Sequence, residues 1–317
     1  MVGIRTAVRS HLEKIPAGET VIVACSGGAD SLTLAFAVAK EAPLLALTDV
    51  GVTIDHQLQD GSHHQAAKVL EQFAHMGIAN SEILAVTVTP TDGIEASARR
   101  ARYEALSRSS DTHAGARVFL GHTRDDQSES VLLGLARGSG SRSLSAMAPE
   151  NGIYIRPLLR ITRVETVAAC NEVGLEPWQD PHNADLRFRR VRARLKVLPI
   201  MEENLGPGIP AALARSAALL RDDADALDEW AQREFAPMDG RSLDCQELSR
   251  LPRAIRSRVI RLAIYGAGAP PGSILADHVV GVEALVCAWH GQGSLDLPGG
   301  VKVARLSGRL SLSPPIV

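Results

Sequence analysis

The stretch that decides the fold is Val21-Ile22-Val23-Ala24-Cys25-Ser26-Gly27-Gly28-Ala29-Asp30-Ser31-Leu32-Thr33-Leu34-Ala35. Its β-branched start favours a buried strand, and its later apolar residues recur at helical spacing. The paired glycines permit backbone conformations and close approaches that side chains would block. Amide groups at the start of such a helix attract anions. The stretch therefore predicts a strand, an anion-binding loop and a helix.

The loop differs from the commonest phosphate-binding loop. It lacks the G-x-x-x-x-G-K-[ST] pattern of kinases and GTPases, and the chain holds no Gly-Lys pair. An ordinary glycine-rich turn is the alternative interpretation. Hydroxyls and a carboxylate flank the glycines, however, at Ser26, Asp30 and Ser31. These groups favour a loop that cradles phosphates.

Composition places the chain among ordinary globular proteins. Its 317 residues, 45% of them hydrophobic and 22% charged, allow about two domains. No stretch approaches the ~18 uninterrupted apolar residues of a membrane span, and the amino terminus is a poor signal peptide. The four cysteines are dispersed without a Cys-x-x-Cys pair, which argues against a disulfide framework or an iron–sulfur site. We expect a cytoplasmic protein that does not use a membrane.

Strand-like apolar runs alternate with helical patterns along the first two thirds of the chain. The runs cover residues 21–23, 44–54, 83–88 and 117–121, and a polar turn is predicted at 89–93. This alternation predicts an α/β fold with a doubly wound parallel sheet of approximately five strands in residues 1–205. A smaller, mainly helical domain is predicted in residues 206–317. Its helices are expected at 211–235, 245–265 and 273–289, before a terminal β-hairpin at 301–313.

A second polar group follows the fourth predicted strand. Asp126 and Glu129 lie three residues apart on a predicted helix and share a face, next to His122 and Asp125. Acids at a helix start are often caps. Because ligands of parallel sheets bind at the carboxyl ends of the strands, this group and the first loop should share an edge. Carboxylates there could hold Mg²⁺, neutralise an ammonium group or accept a proton.

Several motifs, in their order and spacing, resemble those of the tRNA(Ile)-lysidine synthetases, which belong to the PP-loop ATP pyrophosphatases. They are Ser26-Gly27-Gly28-Ala29-Asp30-Ser31, Ile54-Asp55-His56-Gln57-Leu58, Ala98-Arg99-Arg100-Ala101-Arg102-Tyr103, Gly121-His122-x-x-Asp125-Asp126-Gln127-x-Glu129-Ser130 with Arg137-Gly138-Ser139-Gly140, Arg156-Pro157-Leu158-Leu159 and Asp180-Pro181-His182-Asn183. The match is dense over residues 20–200 and loose beyond. The polar stretch 138–147 is expected to be a mobile loop.

The resemblance implies a two-step reaction with ATP and Mg²⁺. ATP adenylates the C2 carbonyl oxygen of the wobble cytidine in the isoleucine tRNA with anticodon CAU, releasing pyrophosphate. The side-chain amine of free L-lysine then displaces AMP and forms lysidine, which changes decoding from AUG to AUA. Adenylation supplies the leaving group that a poorly electrophilic, amide-like carbonyl lacks.

The resemblance also implies roles by position. The triphosphate would lie on Ser26, Gly27, Gly28, Ala29, Asp30 and Ser31, with Arg102 on phosphates or tRNA. The candidate catalytic residues, which would bind metal or lysine or remove a proton, are Asp126, Glu129, Asp30, Asp125 and His122, and Asp30 and Asp126 are the candidate metal ligands. His56 would lie near the adenine, although a satisfied structural histidine is the favoured interpretation.

A basic segment lies near the end of the first predicted domain. It has no acidic residue before Glu202 and holds Arg187, Arg189, Arg190, Arg192, Arg194 and Lys196. Such cations repel one another and invite a polyanion, whereas a solvated helix surface is the alternative. The expected tRNA contacts are Arg99, Arg187, Arg190, Arg192 and Arg194. The family pattern Arg-Asn-x-Ile-Arg is here Arg190-Val191-Arg192, without the asparagine.

Other members of the superfamily fit less well. The 2-thiocytidine synthetases need paired cysteines, and GMP and asparagine synthetases carry a glutaminase domain for which 20 residues before the loop leave no room. A non-catalytic tRNA-binding or nucleotide-sensing protein would not need both Asp126 and Glu129. The oligomeric state stays open, with a homodimer as one option.

Overall fold

A computed structural model describes residues 1–57, 61–87, 94–138, 140–270 and 272–314 of the chain. They form two compact units, Met1–Leu220 and Arg221–Val317, and the division falls inside the longest helix. The domain boundary predicted after residue 205 stays a prediction. The turn predicted at 89–93 lies outside the described residues.

The first unit is built on a six-stranded sheet. Its strands are β1 (Thr20–Ala24), β2 (Thr48–Asp55), β3 (Asn80–Ala85), β4 (Arg117–Leu120), β5 (Glu150–Asn151) and β6 (Tyr154–Ile155). Their order is β3-β2-β1-β4-β6-β5, and every neighbouring pair is parallel except β5 with β6. The predicted parallel sheet of about five strands is confirmed, with one short antiparallel strand added at its edge.

The central strand β1 is buried on both faces. Val21 and Val23 join one core cluster, whereas Ile22 and Ala24 join another on the opposite face. The first cluster contains Phe73, whose ring packs directly against β2 at Gly51. Both faces are therefore covered, and only the ends of the strands remain to form a site.

Helices cover this sheet. They are α1 (Val2–Leu12), α2 (Ala29–Glu41), α3 (Ser62–Met76), α4 (Ile94–Thr112), α5 (Arg124–Leu135), α6 (Ser141–Leu144), α7 (Arg163–Glu172), α8 (Arg189–Arg192), α9 (Leu198–Leu205) and α10 (Ile209–Phe235). The short helix α6 lies within the stretch 138–147, and the mobility expected of that stretch stays a prediction. The end of that stretch is also held, because Gln127 bonds both the N–H and the carbonyl of Met147 at 2.8 Å.

A π-helical turn, Ala193–Val197, joins α8 to α9. The chain therefore runs helically from Arg189 to Leu205, with one wider turn in the middle. Such turns are rare and are often found at functional sites.

The second unit combines three helices and the end of α10 with a four-stranded antiparallel sheet. The elements are β7 (Ser242–Asp244), α11 (Cys245–Arg250), α12 (Arg253–Gly266), α13 (Ala276–Cys287), β8 (Leu295–Asp296), β9 (Lys302–Leu306) and β10 (Arg309–Ser313). The strand order is β7-β10-β9-β8, so the predicted hairpin is confirmed as β9–β10. The single helix expected over 245–265 is instead two, because Pro252 keeps Leu251 out of the helical conformation.

No helix in the described part of the chain is long and apolar enough to cross a membrane.

Candidate active site at the carboxyl edge of the parallel sheet

The loop between β1 and α2 is closed by one serine. The Ser31 hydroxyl donates to the Gly28 carbonyl at 3.0 Å and accepts from the Ser26 N–H at 3.1 Å. Gly27 has a φ of +83°, which favours glycine, and a Cβ there would lie 2.9 Å from Gln65 Nε2. The first turn of α2 carries backbone N–H groups without intrahelical partners. The loop thus has the form that suits an anion.

This loop lies where the sheet changes direction. From β1 the chain continues to β2 on one side, whereas β4 lies on the other side and leads to β6. Gly121 directly follows β4, and a Cβ there would lie 3.0 Å from Ser31 Cα and 3.1 Å from the Asp30 carbonyl. Glycine therefore lets the end of β4 approach the loop. Ligands of open α/β sheets bind at such a point.

Arg163, at the start of α7, joins the two predicted motifs. Its Nε donates to Asp30 Oδ2 at 3.2 Å, its Nη2 to Asp126 Oδ1 at 3.1 Å and its Nη1 to Glu129 Oε1 at 3.5 Å. We call Asp30, Asp126 and Glu129 the carboxylate cluster. Thr166, one turn further along α7, also donates its hydroxyl to Asp30. The structure thus brings three of the predicted residues together around a residue that sequence reasoning missed.

Asp126 and Asp125 also hold helices in place. Asp126 Oδ2 accepts from the Thr123 N–H at 2.8 Å and from its hydroxyl at 2.9 Å, which caps α5. Its other oxygen faces Arg163, so both are engaged. Asp125 Oδ2 accepts from the backbone N–H of Arg163 at 2.8 Å. Asp125 therefore fixes the start of α7, outside the carboxylate cluster.

Glu129 is fully buried and faces three arginines. Besides Arg163, Arg190 Nε lies 3.4 Å from Oε2 and Arg194 Nε lies 3.8 Å from Oε1. No described residue donates a hydrogen bond to Oε2. The three carboxylates and these three guanidinium groups balance in charge.

The three carboxylates differ in proton affinity. Burial raises the pKa of Glu129, and the charge of Asp126 adds to this. Burial also raises the pKa of Asp30, against the hydrogen bond from Thr166. At Asp126 burial acts in the same direction, but the Arg163 charge and the Thr123 N–H outweigh it, and its pKa lies below the ordinary value. Asp126 is the most firmly ionised of the three.

A cationic side faces this cluster. The Arg102 guanidinium has no hydrogen bond or ion pair with the residues that the structure describes, and burial lowers its pKa. Burial and then the Arg102 charge lower the pKa of His122 to about 3, and His122 Nδ1 has no partner within the described ranges. Arg156, also buried, donates to the Tyr103 hydroxyl at 3.4 Å. A guanidinium without a partner among the described residues, beside a neutral imidazole, suits phosphate oxygens.

The exposed Arg99 belongs to the same helix as Arg102. Its guanidinium lies 4.9 Å from the centre of the Tyr103 ring and donates to the Tyr103 hydroxyl at 3.4 Å. Burial raises the pKa of Tyr103, but the Arg156 hydrogen bond and the three arginine charges hold it below the ordinary value. Arg99 is thus placed at the rim, where it remains available to a polyanion.

A cavity of about 120 Å³ lies beside the loop. Its lining includes Ser26, Asp55, His56, Gln65, Trp178 and His182. His56 Nδ1 is buried without a partner in the part of the chain that the structure describes. Burial, followed by the Arg102 charge, lowers the pKa of His56. An open ring nitrogen favours a ligand-facing His56 over the satisfied structural histidine.

The residues present fit Mg²⁺ only in part. Across the described ranges, no three His, Cys, Asp or Glu side chains are grouped as a metal site. Asp30 and Asp126 are both paired with Arg163. Mg²⁺ commonly binds one or two carboxylates together with substrate phosphates and water. The two aspartates suit such shared coordination with a nucleotide.

The basic segment is less free than its sequence suggests. Arg187 pairs with Asp185 at 2.7 Å, and Arg192 donates to the carbonyls of Leu186 and Arg187 at 2.6 and 2.8 Å. Arg190 and Arg194 face Glu129. Of the four arginines expected on tRNA here, Arg187 and Arg192 are therefore the exposed ones.

The loop, the strand order and the clustered carboxylates define a PP-loop protein of the α/β class. A family model described as the PP-loop domain matches residues 4–201, and one described as the TilS substrate binding domain matches residues 243–311. A solved U34-tRNA thiolase, NcsA from Methanococcus maripaludis with its 4Fe-4S cluster, shares the fold. It aligns with a TM-score of 0.57 and 17% identity over 69% of this chain and 78% of that chain.

Curated relatives then give the family. The tRNA(Ile)-lysidine synthase of Thermobifida fusca is 50% identical over 98% of this chain and 96% of its own length. That of Streptomyces coelicolor is 50% identical over 93% of this chain and 86% of its own length. That of Salinispora arenicola is 44% identical over 99% of this chain and 97% of its own length. The chain belongs to the tRNA(Ile)-lysidine synthase family.

Proposed function

We propose that the protein joins free L-lysine to C2 of the wobble cytidine in the CAU isoleucine tRNA, with ATP split to AMP and pyrophosphate. The observation that carries the proposal is the bridge from Asp30 through Arg163 to Asp126, at 3.2 and 3.1 Å. A single side chain, that of Arg163, thus links the loop suited to a triphosphate with the carboxylates suited to an amine.

In the first step, the cytidine O2 bonds to the α-phosphorus of ATP and pyrophosphate leaves. The Ser26–Ser31 loop and the first amides of α2 would hold the phosphates, because their N–H and hydroxyl groups can donate to them. Arg102, which lacks a described partner, would meet the growing negative charge. Mg²⁺, held by Asp30, Asp126 and the phosphates, would supply further charge neutralisation. His56 and its cavity would take the adenine.

In the second step, the lysine amine bonds to C2, the C2–O bond to AMP breaks and the amine loses a proton. Glu129 is the better placed proton acceptor, because its buried Oε2 has no hydrogen bond from the described residues, whereas both oxygens of Asp126 are engaged. His122 is neutral and lies near both Arg102 and Asp126. Asp126 would hold the ammonium or the metal by its charge.

The tRNA would be held by exposed cations of the first unit, Arg99, Arg187 and Arg192, and by the domain that matches the substrate binding model. Arg190 and Arg194 contribute to the carboxylate cluster instead. A homodimer is retained as part of the proposal.

The direct experiment supplies the protein with ATP, Mg²⁺, labelled lysine and tRNA transcripts. Label should enter the isoleucine transcript with anticodon CAU, and methionine tRNA with the same anticodon should stay unlabelled. Label in neither tRNA, or equally in both, would overturn the proposal.

A further inference from the structure

Arg163 occupies a place that suits a cationic ligand. Each of its three guanidinium nitrogens faces a different member of the carboxylate cluster, at 3.1 to 3.5 Å. The side chain keeps 26% of its surface exposed, whereas that of Glu129 has none. It thus lies on the solvent side of Glu129, beside the half-buried Asp30 and Asp126.

Among the protein's own groups, the charge balance leaves no carboxylate for an additional cation, whereas Mg²⁺ would be balanced by the phosphates that it binds. Asp30, Asp126 and Glu129 are already matched by three guanidinium groups, those of Arg163, Arg190 and Arg194. An ammonium that joined them would leave an unpaired positive charge in a largely buried site, which is costly. One resident cation must withdraw, and Arg163 is the one that contacts all three acids.

We propose that Arg163 is a positioning residue that stands in for the substrate amine: it holds the carboxylate cluster in place without lysine and is displaced when the lysine ammonium binds. This inference rests on the proposed function. It adds an exchange of cations at the cluster as a part of lysine binding.

The first test separates lysine affinity from turnover in Arg163→Gln and Arg163→Lys, with Arg160→Ala as the matched control. Arg160 is an exposed arginine three residues earlier. With the competing charge removed, Arg163→Gln should lower the KM for lysine about fivefold or more, the lower end of usual coupling between ligands. Its kcat should fall as the cluster loses its order. Arg163→Lys restores the charge without the forked geometry, so it should bring the KM for lysine back towards that of the original protein.

Other outcomes would overturn the proposal. A raised or unchanged KM for lysine in Arg163→Gln would assign Arg163 to the lysine carboxylate or to packing. A rise in the KM for ATP alone would assign it to the phosphates, and a change confined to the Mg²⁺ requirement would assign it to the metal. If the original protein transfers no lysine, the proposed function itself fails; if it transfers lysine and Arg163→Gln behaves like Arg160→Ala, only this inference fails.

The second test needs no variant. Phenylglyoxal modifies free guanidinium groups, and peptide mass spectrometry locates the products. With a non-hydrolysable ATP analogue and tRNA present throughout, lysine should speed modification of Arg163 and leave Arg160 unchanged. Slower or unchanged modification of Arg163 would contradict displacement.

Discussion

Glu129 and Glu283 are both buried glutamates that face arginines, but their oxygens are used differently. Glu283, on α13 of the second unit, accepts from Arg256 at 2.8 and 2.9 Å and from Arg253 at 3.3 Å. Glu129 faces its arginines at 3.4 to 3.8 Å and has an oxygen without a hydrogen bond from any residue described. A structural ion pair uses its acceptors fully, whereas a site keeps one available for a ligand.

The same difference separates the two units. Within the described ranges, the buried side-chain atoms without a partner all belong to the first unit, on Asp49, His56, Gln72, His122, Arg124, Glu129 and Arg156. Buried polar groups are normally satisfied, so each exception needs an explanation. Four of them, on His56, His122, Glu129 and Arg156, lie at the edge that holds the predicted site. This concentration supports chemistry in the first unit.

The largest effect is expected from Glu129→Gln. Losing the proton acceptor should lower the rate of lysine transfer by about 10²- to 10⁴-fold, the usual contribution of general base catalysis. Thermal unfolding should change less than in Glu283→Gln, because the three arginines that face Glu129 make only long contacts with it and keep 23 to 31% of their side-chain surface exposed. Lysine incorporation under single-turnover conditions measures the rate. Near-normal turnover in the folded variant would remove Glu129 from the proposed role.

Glu283→Gln should show the opposite pattern. It leaves the largely buried Arg256 without its charged partner, so the free energy of unfolding should fall by about 2 kcal/mol. Lysine transfer per folded molecule should stay within about twofold, since no step of catalysis uses Glu283. Urea unfolding followed by circular dichroism provides the measurement. A loss of turnover at full stability would break the comparison with Glu129.

Glu41, a third buried glutamate that faces arginines, tests the comparison through the pH dependence of the unfolding free energy. Glu41 accepts from Arg5 and Arg9 at 2.5 Å, and these bonds outweigh burial and hold its pKa below the ordinary value. A lowered folded pKa stabilises the fold above the unfolded value of about 4.3, and this stabilisation is lost as the pH falls through the folded pKa. Glu41→Gln should therefore cost about 1 kcal/mol at pH 7.

The difference in unfolding free energy between Glu41→Gln and the original protein should begin to shrink as the pH falls below the unfolded value of about 4.3, and it should continue to shrink as the pH falls through the lowered folded pKa. Denaturant unfolding at pH 7, 5 and 3.5 measures it. A difference that stays constant over this range would show that Glu41 acts through packing and not through its charge.

The smallest effect concerns the basic segment. Replacing the exposed Arg187 and Arg192 by alanine should weaken tRNA binding a few-fold and reduce the slope of log affinity against log salt by about 1 per lost phosphate contact. Arg194→Met, which alters the cluster beside Glu129, should slow lysine transfer and leave that slope unchanged. Filter binding at several salt concentrations measures both. Identical slopes in all variants would make the segment an ordinary surface.

Sequence reasoning predicted the elements whose signals are local. The Ser26–Ser31 loop, the parallel sheet and the terminal hairpin depend on glycines, apolar runs and alternation within a few residues. The single helix expected over 245–265 could have been divided from sequence too, because Pro252 is a local signal.

Contacts between distant segments were not predictable in this way. Arg163 and Thr166 share a helix face, but nothing local shows that Asp30, 133 residues away from Arg163, meets them. The basic segment looked unneutralised because its partner, Glu129, lies 61 residues before Arg190 on another helix. Pairing of this kind depends on how the helices pack, which no spacing within one segment encodes.

The π turn Ala193–Val197 has a consequence for how the site can vary. An α-helix advances about 100° per residue, so deleting one residue within this turn would rotate α9 by that angle relative to α8. Arg190 would keep its place, while Arg194, inside the turn, would swing away from Glu129. A structure of such a deletion variant with Arg194 still within 4 Å of Glu129 would contradict this geometry. The length of the segment, as much as its residue types, is therefore expected to decide whether the carboxylate cluster stays charge-balanced.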